Sequence, residues 1–306
     1  MSLEVELRYR GFKIAKTPTA DYSFDLVAAK DDEVLAIKFI EGFDKESIRK
    51  YADDLRRLAF SLDLVPLMVS KENLPEDSLV TYKGIPSLSQ ETFEKVVKGI
   101  ETPFVYFSRG GVYVKIRGDR VRKYRRERRM SLGELSNKLG VTRRMIYEYE
   151  VGRSDATLEV ACKLIEIFGD DVIDRLILKN IKEYFVAQSK EIEKDDVLLD
   201  KVTDPLLRRL LNKLIELGFI NRIFEKAPFQ LAATETSTKK RKILVKLGED
   251  KEEEHTTIQV AKLCRSDVVL LGGNKLRFYG DNLTEIFSDN IKNENINIEN
   301  IRKQKF

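Results

Sequence analysis

The spacing of hydrophobic positions changes along the chain, from strand-like runs near both ends to helical spacing in the middle. Near the amino terminus, the runs FDLVAA and VLAIKF precede an amphipathic helical pattern over residues 45–62 and a further apolar run, LVPLMVS. Residues 119–168 instead carry apolar side chains three and four positions apart, punctuated by glycines. Strand-like runs return after residue 218. This order predicts an all-α region between two mixed α/β regions.

Capping residues divide the central region into short helices. Ser131, followed three positions later by Glu134, forms a capping box at the start of one helix. Gly140 ends that helix in a left-handed conformation, and Thr142 is an N-cap for the next. The predicted helices cover about residues 120–128, 132–139, 143–150 and 157–168.

The net charge of +4 is modest, but basic residues are concentrated in one segment. Eight of the thirteen residues from Arg117 to Arg129 are Arg or Lys. A basic run of this kind is either a solvated helix face or an electrostatic footprint for nucleic acid. The capped helices that follow the run favour nucleic acid.

Several classes of protein are excluded by composition. No run of about 18 apolar residues occurs, so we expect no membrane span, and the first ten residues contain no signal-peptide core. Cys162 and Cys264 are expected to be buried free thiols in a reducing cytoplasm. His255, the only histidine, has no cysteine cluster beside it. We therefore expect no metal site and no cofactor.

The segment RRERRMSLGELSNKLGVTRRMIYEYEVGR resembles the lambda-repressor/Cro-like helix-turn-helix family. The resemblance implies that the helix over residues 143–150 enters the major groove of DNA. It also implies an internal ion pair between Arg125 and Glu150. Gly133 departs from the family, which usually has a larger polar residue there, and this change weakens a possible contact point.

The chemistry of the exposed side chains assigns roles within this motif. Arg143 and Arg144 can each present a bidentate fork to guanine, and Tyr147 can reach a base edge, a thymine methyl group or a phosphate. Ser131 and Thr142, at helix amino termini, suit phosphate oxygens. Further phosphate contacts are predicted on the rim of the motif from Arg128, Arg129 and Arg153.

The amino-terminal region resembles the restriction-endonuclease-like, or PD-(D/E)xK, fold shared with archaeal Holliday junction resolvases. Active members hold a divalent metal with a carboxylate on one strand and a Glu-x-Lys on the next. This chain has Asp25 in FDLVAA and Lys38 in AIKF, but Ala36 occupies the position of the second acid. We interpret Asp25 and Lys38 as a vestigial site.

The carboxyl-terminal region repeats this pattern. Residues 24–29 correspond to residues 229–234, and Lys38 corresponds to Lys246. Asp25 is replaced by Gln230, so the second copy has lost the first acid as well. A period of this length indicates duplicated domains and not a solenoid. The alternative is a chance similarity between two α/β units.

The predicted fold class is α/β plus all-α, with two restriction-endonuclease-like domains flanking a lambda-repressor-like helix-turn-helix domain. The complete arrangement resembles a group of archaeal helix-turn-helix regulators. The predicted boundaries are 1–112 for the first nuclease-like domain, 113–180 for the helix-turn-helix domain, 181–203 for a helical linker, 204–288 for the second nuclease-like domain and 289–306 for a flexible tail.

These features predict a protein that binds double-stranded DNA and regulates transcription as a homodimer in the cytoplasm, at the nucleoid. One alternative is a DNA-tethered scaffold that binds a protein partner through its outer domains. Another is a metal-dependent, structure-specific nuclease targeted by the helix-turn-helix. Asp25 and Lys38 favour the nuclease, whereas Ala36 and Gln230 oppose it.

Overall fold

The computed structural model divides the chain into two compact units. The end unit draws on both ends of the chain, as Met1–Met68, Lys83–Ile85 and Phe185–Phe306, and the central unit contains Val69–Tyr82 and Pro86–Tyr184. The structure describes residues 3–41, 45–71, 74–108, 110–189, 202–236, 241–272, 275–280 and 297–298.

The amino-terminal copy in the end unit begins with a helix and an antiparallel meander. Its elements are α1 (Leu3–Tyr9), β1 (Lys13–Lys16), β2 (Leu26–Lys30), β3 (Glu33–Ile40), α2 (Lys45–Leu62) and β4 (Val65–Ser70). Strands β1, β2 and β3 pair in sequence, and β4 lies beside β3. Strands β2 and β3 are continuous apolar stretches, and most of their residues are buried. This pattern is typical of strands in a sheet that is covered on both faces.

The central unit joins strands to a bundle of short helices. Its elements are β5 (Ser78–Tyr82), β6 (Ile85–Ser89), α3 (Gln90–Lys98), β7 (Val105–Ser108), β8 (Gly111–Val114), α4 (Gly118–Glu127), α5 (Leu132–Leu139), α6 (Arg143–Glu150), β9 (Ala156–Thr157), α7 (Leu158–Phe168) and α8 (Leu178–Gln188). The strand order is β6-β5-β7-β8-β9. Because β9 follows α6 closely and pairs with β8, the helical bundle is hydrogen-bonded to the sheet.

One apolar core holds the helical bundle together. The inward faces of α4, α5, α6 and α7 meet around Val121, Leu135, Ile146 and Leu164, all of which are fully buried. Gly118 allows α4 to approach the end of α6: a Cβ atom there would lie 2.1 Å from the carbonyl oxygen of Tyr149. The predicted helix-turn-helix fold is therefore observed, with α4 starting two residues earlier than expected.

The carboxyl-terminal copy in the end unit repeats the order of the amino-terminal copy. Its elements are α9 (Pro205–Glu216), β10 (Phe219–Ile223), β11 (Leu231–Glu235), β12 (Lys242–Leu247), α10 (Lys251–Cys264), β13 (Asp267–Gly272), β14 (Lys275–Tyr279) and β15 (Asn297–Ile298). These strands form a sheet in sequence order, antiparallel from β10 to β12 and parallel between β12 and β13. Leu211, Leu231 and Val245 are fully buried in its core.

The two copies pack together through equivalent elements. Helix α2 of the amino-terminal copy lies against β11 of the carboxyl-terminal copy. In the same way, the equivalent helix α10 lies against the equivalent strand β2. Phe24 and Phe229, which the sequence comparison places at equivalent positions, meet with ring centroids 6.4 Å apart. Contacts of this reciprocal kind are typical of a two-fold dimer interface. Here the two partners belong to one chain.

Equivalent helix positions also make equivalent polar contacts between the copies. Asp54 and Thr256 lie at the same distance from the carboxyl ends of α2 and α10. Asp54 Oδ2 accepts hydrogen bonds from the backbone N–H groups of Glu225 (2.9 Å) and Lys226 (2.7 Å), just after β10. Thr256 Oγ1 donates to the carbonyl oxygen of Lys16 (3.4 Å), at the end of β1. Each helix thus forms a hydrogen bond with the backbone at the end of the first strand of the other copy.

The structure also bears on the predictions for the two cysteines, for a membrane span, and for the linker and the tail. Cys264 is buried as predicted, but the prediction for Cys162 was wrong, because its side chain lies on the solvent side of α7. Among the described residues, no helix is long and apolar enough to cross a membrane. The predicted tail lies outside the described residues apart from 297–298, and so does most of the predicted linker after Ser189.

Candidate nucleic-acid interface

The ends of α5 and α6 are fixed by the side chains that the sequence indicated. Ser131 Oγ accepts from the backbone N–H of Glu134 (3.1 Å), and Glu134 Oε2 accepts from the N–H of Ser131 (2.7 Å), which completes the capping box. Gly140 has φ of 71° at the end of α5. Thr142 Oγ1 accepts from the N–H of Met145 (3.2 Å) and starts α6. These caps define the turn between the two helices.

A buried ion pair holds α6 against α4. Arg125 Nη2 donates to Glu150 Oε2 at 2.9 Å, and Arg125 Nη1 donates to the carbonyl oxygen of Met130 at 2.8 Å. The side chains of Arg125 and Glu150 are only 11% and 4% exposed. The hydrogen bond that Arg125 donates to Glu150 raises the pKa of Arg125, so the guanidinium stays charged. Arg125 therefore stabilises the bundle and is not available to a ligand.

The side chains that we predicted to contact DNA bases lie on one exposed face. Arg143, Arg144 and Tyr147 are exposed on α6, while Ile146 and Tyr149 on its other face are buried. The Arg144 side chain is 89% exposed. A helix that buries one face and presents two guanidinium groups and a phenol on the other has the shape and chemistry required by a major groove.

The side chains predicted to contact phosphates have different surroundings. Ser131, Thr142, Arg129 and Arg153 are exposed. Arg128 is exposed too, but its Nη1 donates to the carbonyl oxygen of Ile167 and its guanidinium lies 5.2 Å from the ring centroid of Phe168. Arg128 thus has intramolecular partners at the carboxyl end of α7. A phosphate would compete with these contacts.

Some basic residues in the run before α5 form ion pairs within the protein, and others have no carboxylate partner among the described residues. Arg117 and Arg120 lie 3.0 and 3.6 Å from carboxylate oxygens of Asp171, which also accepts from Tyr124 Oη at 2.5 Å. The hydrogen bond from Tyr124 lowers the pKa of Asp171, and the two arginines lower it further. Within the described part of the chain, four arginines of the run have no carboxylate partner within ion-pair distance: Arg122, Arg126, Arg128 and Arg129.

Two features of this surface were not predicted from the sequence. Glu148 Oε1 lies 3.9 Å from Arg144 Nε, and Glu148 Oε2 lies 3.9 Å from Arg153 Nη1, so one carboxylate is shared by two predicted DNA contacts. The four-residue spacing from Arg144 to Glu148 could have indicated the first pair. The second feature is the position of Gly133, which lies next to the guanidinium of Arg143.

The two residues that we interpreted as a vestigial nuclease site pair with each other in the amino-terminal copy. Lys38 Nζ donates to Asp25 Oδ1 (2.9 Å) and to the carbonyl oxygen of Ala20 (2.6 Å), and it lies 4.4 Å from the Tyr51 ring centroid. Asp25 Oδ2 accepts from the backbone N–H of Phe39 at 2.6 Å. Both carboxylate oxygens of Asp25 therefore have protein partners.

The carboxyl-terminal copy pairs its lysine with another acid. Lys246 Nζ lies 2.6 Å from Glu253 Oε2, and Glu253 belongs to α10. Tyr22, from the amino-terminal copy, donates its hydroxyl to the same carboxylate. Burial and the hydrogen bond to Glu253 raise the pKa of Tyr22, which keeps the phenol protonated as a donor.

Neither copy fits the divalent metal of active PD-(D/E)xK nucleases. Ala36, which is fully buried, occupies the position of the second acid in one copy, and Leu244 occupies it in the other. The first acid is Asp25 in one copy and the neutral Gln230 in the other. Among the described residues, no three His, Cys, Asp or Glu side chains are grouped to hold a metal ion.

Comparison with known protein families identifies both the nuclease-like domain at the amino terminus and the helix-turn-helix in the middle of the chain. A family model described as "PD-(D/E)XK superfamily domain" matches residues 2–102, and one described as "Helix-turn-helix" matches residues 121–169. The fold and the surface of α6 thus define a helix-turn-helix protein that carries a nuclease-like domain. No solved structure matches the chain.

Three relatives share the name "Putative HTH-type transcriptional regulatory protein". The one from Thermococcus kodakarensis is 32% identical over 266 residues, which cover 86% of this chain and 78% of the relative. The one from Methanocaldococcus jannaschii is 30% identical over 252 residues, covering 81% and 76%. The one from Saccharolobus islandicus is 36% identical over 198 residues, covering 64% of this chain and only 60% of the relative. This chain belongs to the family of archaeal HTH-type transcriptional regulatory proteins.

Proposed function

We propose that this chain binds double-stranded DNA in a sequence-specific manner through α6 and regulates transcription as a homodimer at the nucleoid. The observation that carries the proposal is the exposed face of α6, where Arg143, Arg144 and Tyr147 project from a helix whose opposite face is buried. The names of the relatives support the regulatory role.

Each exposed side chain has a role in this proposal. Arg143 and Arg144 read guanine edges as bidentate donors, and Tyr147 contacts a base edge, a thymine methyl group or a phosphate. Ser131 and Thr142 stand at the amino ends of α5 and α6, where hydroxyl and backbone N–H groups suit phosphate oxygens. Contacts to phosphate are assigned on the rim to Arg128, Arg129 and Arg153.

The geometry of DNA recognition supports a homodimer. One helix-turn-helix contacts a single half-site, and two half-sites about 34 Å apart give higher affinity and specificity. The two nuclease-like copies already contact each other within one chain, so the faces that meet there are not free to bind a second chain. We therefore assign dimerisation to the outer side of α7, where Leu158, Cys162 and Ile165 are exposed at helical spacing.

The charges beside this α7 stripe suit a second copy of the same helix. Glu159 and Lys163 lie on its border and form an ion pair at 2.7 Å within one chain. In an antiparallel pair of α7 helices centred near Cys162, Lys163 of one copy faces Glu159 of the other. The stripe is small, so the dimer should be weak in solution and form mainly on DNA, where tethering raises the effective concentration.

The nuclease-like copies are proposed to be non-catalytic. Asp25 and Lys38 satisfy each other, and Lys246 is paired with Glu253. These copies instead offer surfaces to a protein partner. The alternative of a targeted nuclease predicts magnesium-dependent cutting of bound DNA. The alternative of a scaffold predicts a tight protein partner and no change in transcript levels when the gene is deleted.

The test is a selection of genomic fragments by the purified full-length protein at near-physiological salt, with magnesium present. The Arg143→Ala/Arg144→Ala double variant is the matched control. An enriched, roughly palindromic motif that disappears with the double variant, on uncut DNA, is the expected result. Binding without a motif, or cutting that requires magnesium, would overturn the proposal.

A further inference from the structure

Arg143 and Gly133 are in close contact across the turn between α5 and α6. Gly133 is the second residue of α5, and Arg143 is the first residue of α6. A Cβ atom placed on Gly133 would lie 3.0 Å from Nε, 3.1 Å from Nη2 and 3.2 Å from Cζ of Arg143. These distances are shorter than the ordinary contact of about 3.5 Å between non-bonded heavy atoms. The guanidinium therefore occupies space that a side chain at position 133 would fill.

The backbone does not explain the glycine at this position. Gly133 lies inside α5 and is not among the residues with positive φ, so any L-amino acid can adopt its conformation. Glycine is a poorer helix former than alanine, because it loses more conformational freedom on folding. Its use inside an eight-residue helix thus lowers helix stability without a local conformational reason.

We propose that Gly133 is a positioning residue for DNA recognition, which holds the guanidinium of Arg143 against the amino end of α5. The inference rests on the proposed DNA-binding function. A guanidinium packed against a neighbouring helix has fewer rotamers to lose when it donates a bidentate pair. Because Arg143 is long and flexible, a methyl group at position 133 displaces the guanidinium instead of disrupting the two helices.

The proposal predicts opposite changes in stability and affinity for Gly133→Ala. Helix α5 becomes easier to form, so the melting temperature of the central unit rises by a few degrees. Affinity for the selected DNA site falls by about 3- to 10-fold, less than for Arg143→Ala, and base preference changes at the position that Arg143 reads. A purely structural role for Gly133 would move both quantities in the same direction.

A double-mutant cycle tests the coupling in the full-length protein. Wild type, Gly133→Ala, Arg143→Ala and the double variant are titrated on the same duplex and melted by calorimetry. The expected result is that Gly133→Ala has no further effect on affinity once Arg143 is absent. Asn137→Ala, at another exposed position of α5, controls for helix propensity and should leave base preference unchanged.

Two results would overturn the positioning role. One is wild-type affinity and base preference for Gly133→Ala. The other is an equal loss of affinity from Gly133→Ala with and without Arg143, which would mean that the methyl group blocks DNA directly. Failure of the proposed function looks different, because the wild-type protein itself would then select no DNA site.

Discussion

Asp25 and Gln230 perform the same structural task in the two nuclease-like copies. Asp25 Oδ2 accepts from the N–H of Phe39 at 2.6 Å, and Gln230 Oε1 accepts from the N–H of Leu247, the equivalent residue, at 2.7 Å. The backbone N–H of each donates to the next strand, from Asp25 to Ile37 (2.8 Å) and from Gln230 to Val245 (2.9 Å). An acid and a neutral amide can both fill this role because each supplies an acceptor oxygen.

The first prediction concerns this acceptor. Asp25→Ala should lower the free energy of unfolding by about 3 kcal/mol, because it leaves buried Lys38 without its carboxylate. Asp25→Asn should cost less, since the amide oxygen still accepts from Phe39 as Gln230 does from Leu247. Denaturant unfolding measures the difference. Equal losses for the two variants would show that charge, and not the acceptor oxygen, is what this position supplies.

Base recognition gives the second prediction. Arg143→Ala and Arg144→Ala should each weaken binding to the selected site by about 1–3 kcal/mol and relax base preference. Arg128→Ala should weaken binding to all sequences alike. Titrations on specific and scrambled duplexes separate the two behaviours. A sequence-dependent loss for Arg128→Ala would contradict its assignment to phosphate.

The third prediction separates folding from recognition. Arg125→Ala should destabilise the helical bundle by about 3–5 kcal/mol, because Glu150 is left buried without a partner. Its exposed neighbour is the control: Arg126→Ala should change stability by no more than about 0.5 kcal/mol. Thermal unfolding followed by circular dichroism provides the measurement. Similar melting curves for both variants would remove the structural role of the ion pair.

The packing of the nuclease-like copies predicts a dependence on pH. Burial raises the pKa of Asp54, although hydrogen bonds from Lys226 and Glu225 partly offset the effect. The protonated carboxyl therefore contributes stability at low pH that is lost as pH rises through the folded-state pKa. Wild type should lose stability relative to Asp54→Asn as pH rises from about 4. Urea unfolding at a series of pH values follows this difference.

Asp54→Ala completes that test. It leaves two backbone N–H groups of the other copy without their acceptor, at a cost of about 1–3 kcal/mol for each buried group. Asp53→Ala is the matched control, since the Asp53 side chain is 61% exposed. A parallel pH profile for wild type and Asp54→Asn would show that Asp54 does not titrate in this range.

Cysteine chemistry tests the assigned dimer surface. Cys162 is exposed at the centre of the α7 stripe, whereas burial raises the pKa of Cys264 to about 12 and keeps this thiol unreactive. Mild oxidation on a palindromic duplex should therefore trap a disulfide-linked dimer through Cys162, and Cys162→Ser should abolish it. If the protein dimerises on DNA but never cross-links, the two-fold axis lies elsewhere.

The sequence predicted local features better than contacts between distant residues. The caps Ser131 and Thr142 were predictable because capping depends on residues within one turn. The exposure of Cys162 was missed, because α7 has apolar residues on both its buried and its exposed face, and their spacing alone does not tell the two faces apart. The contact of Arg143 with Gly133 was missed as well. It depends on how two helices cross, which helix propensity does not encode.

The discontinuity of the end unit imposes an order on folding during synthesis. The central unit is complete once the ribosome has passed Tyr184, whereas the end unit needs Phe185–Phe306 as well as the first residues made. Translation proceeds at about 5–20 residues per second, so the amino-terminal copy must wait several seconds for its counterpart. Until then the faces that later meet at Phe24 and Phe229 are uncovered. During this period the helix-turn-helix of the nascent chain is folded, while the apolar face of the amino-terminal copy is still exposed. A chaperone can bind this exposed face until the carboxyl-terminal copy covers it.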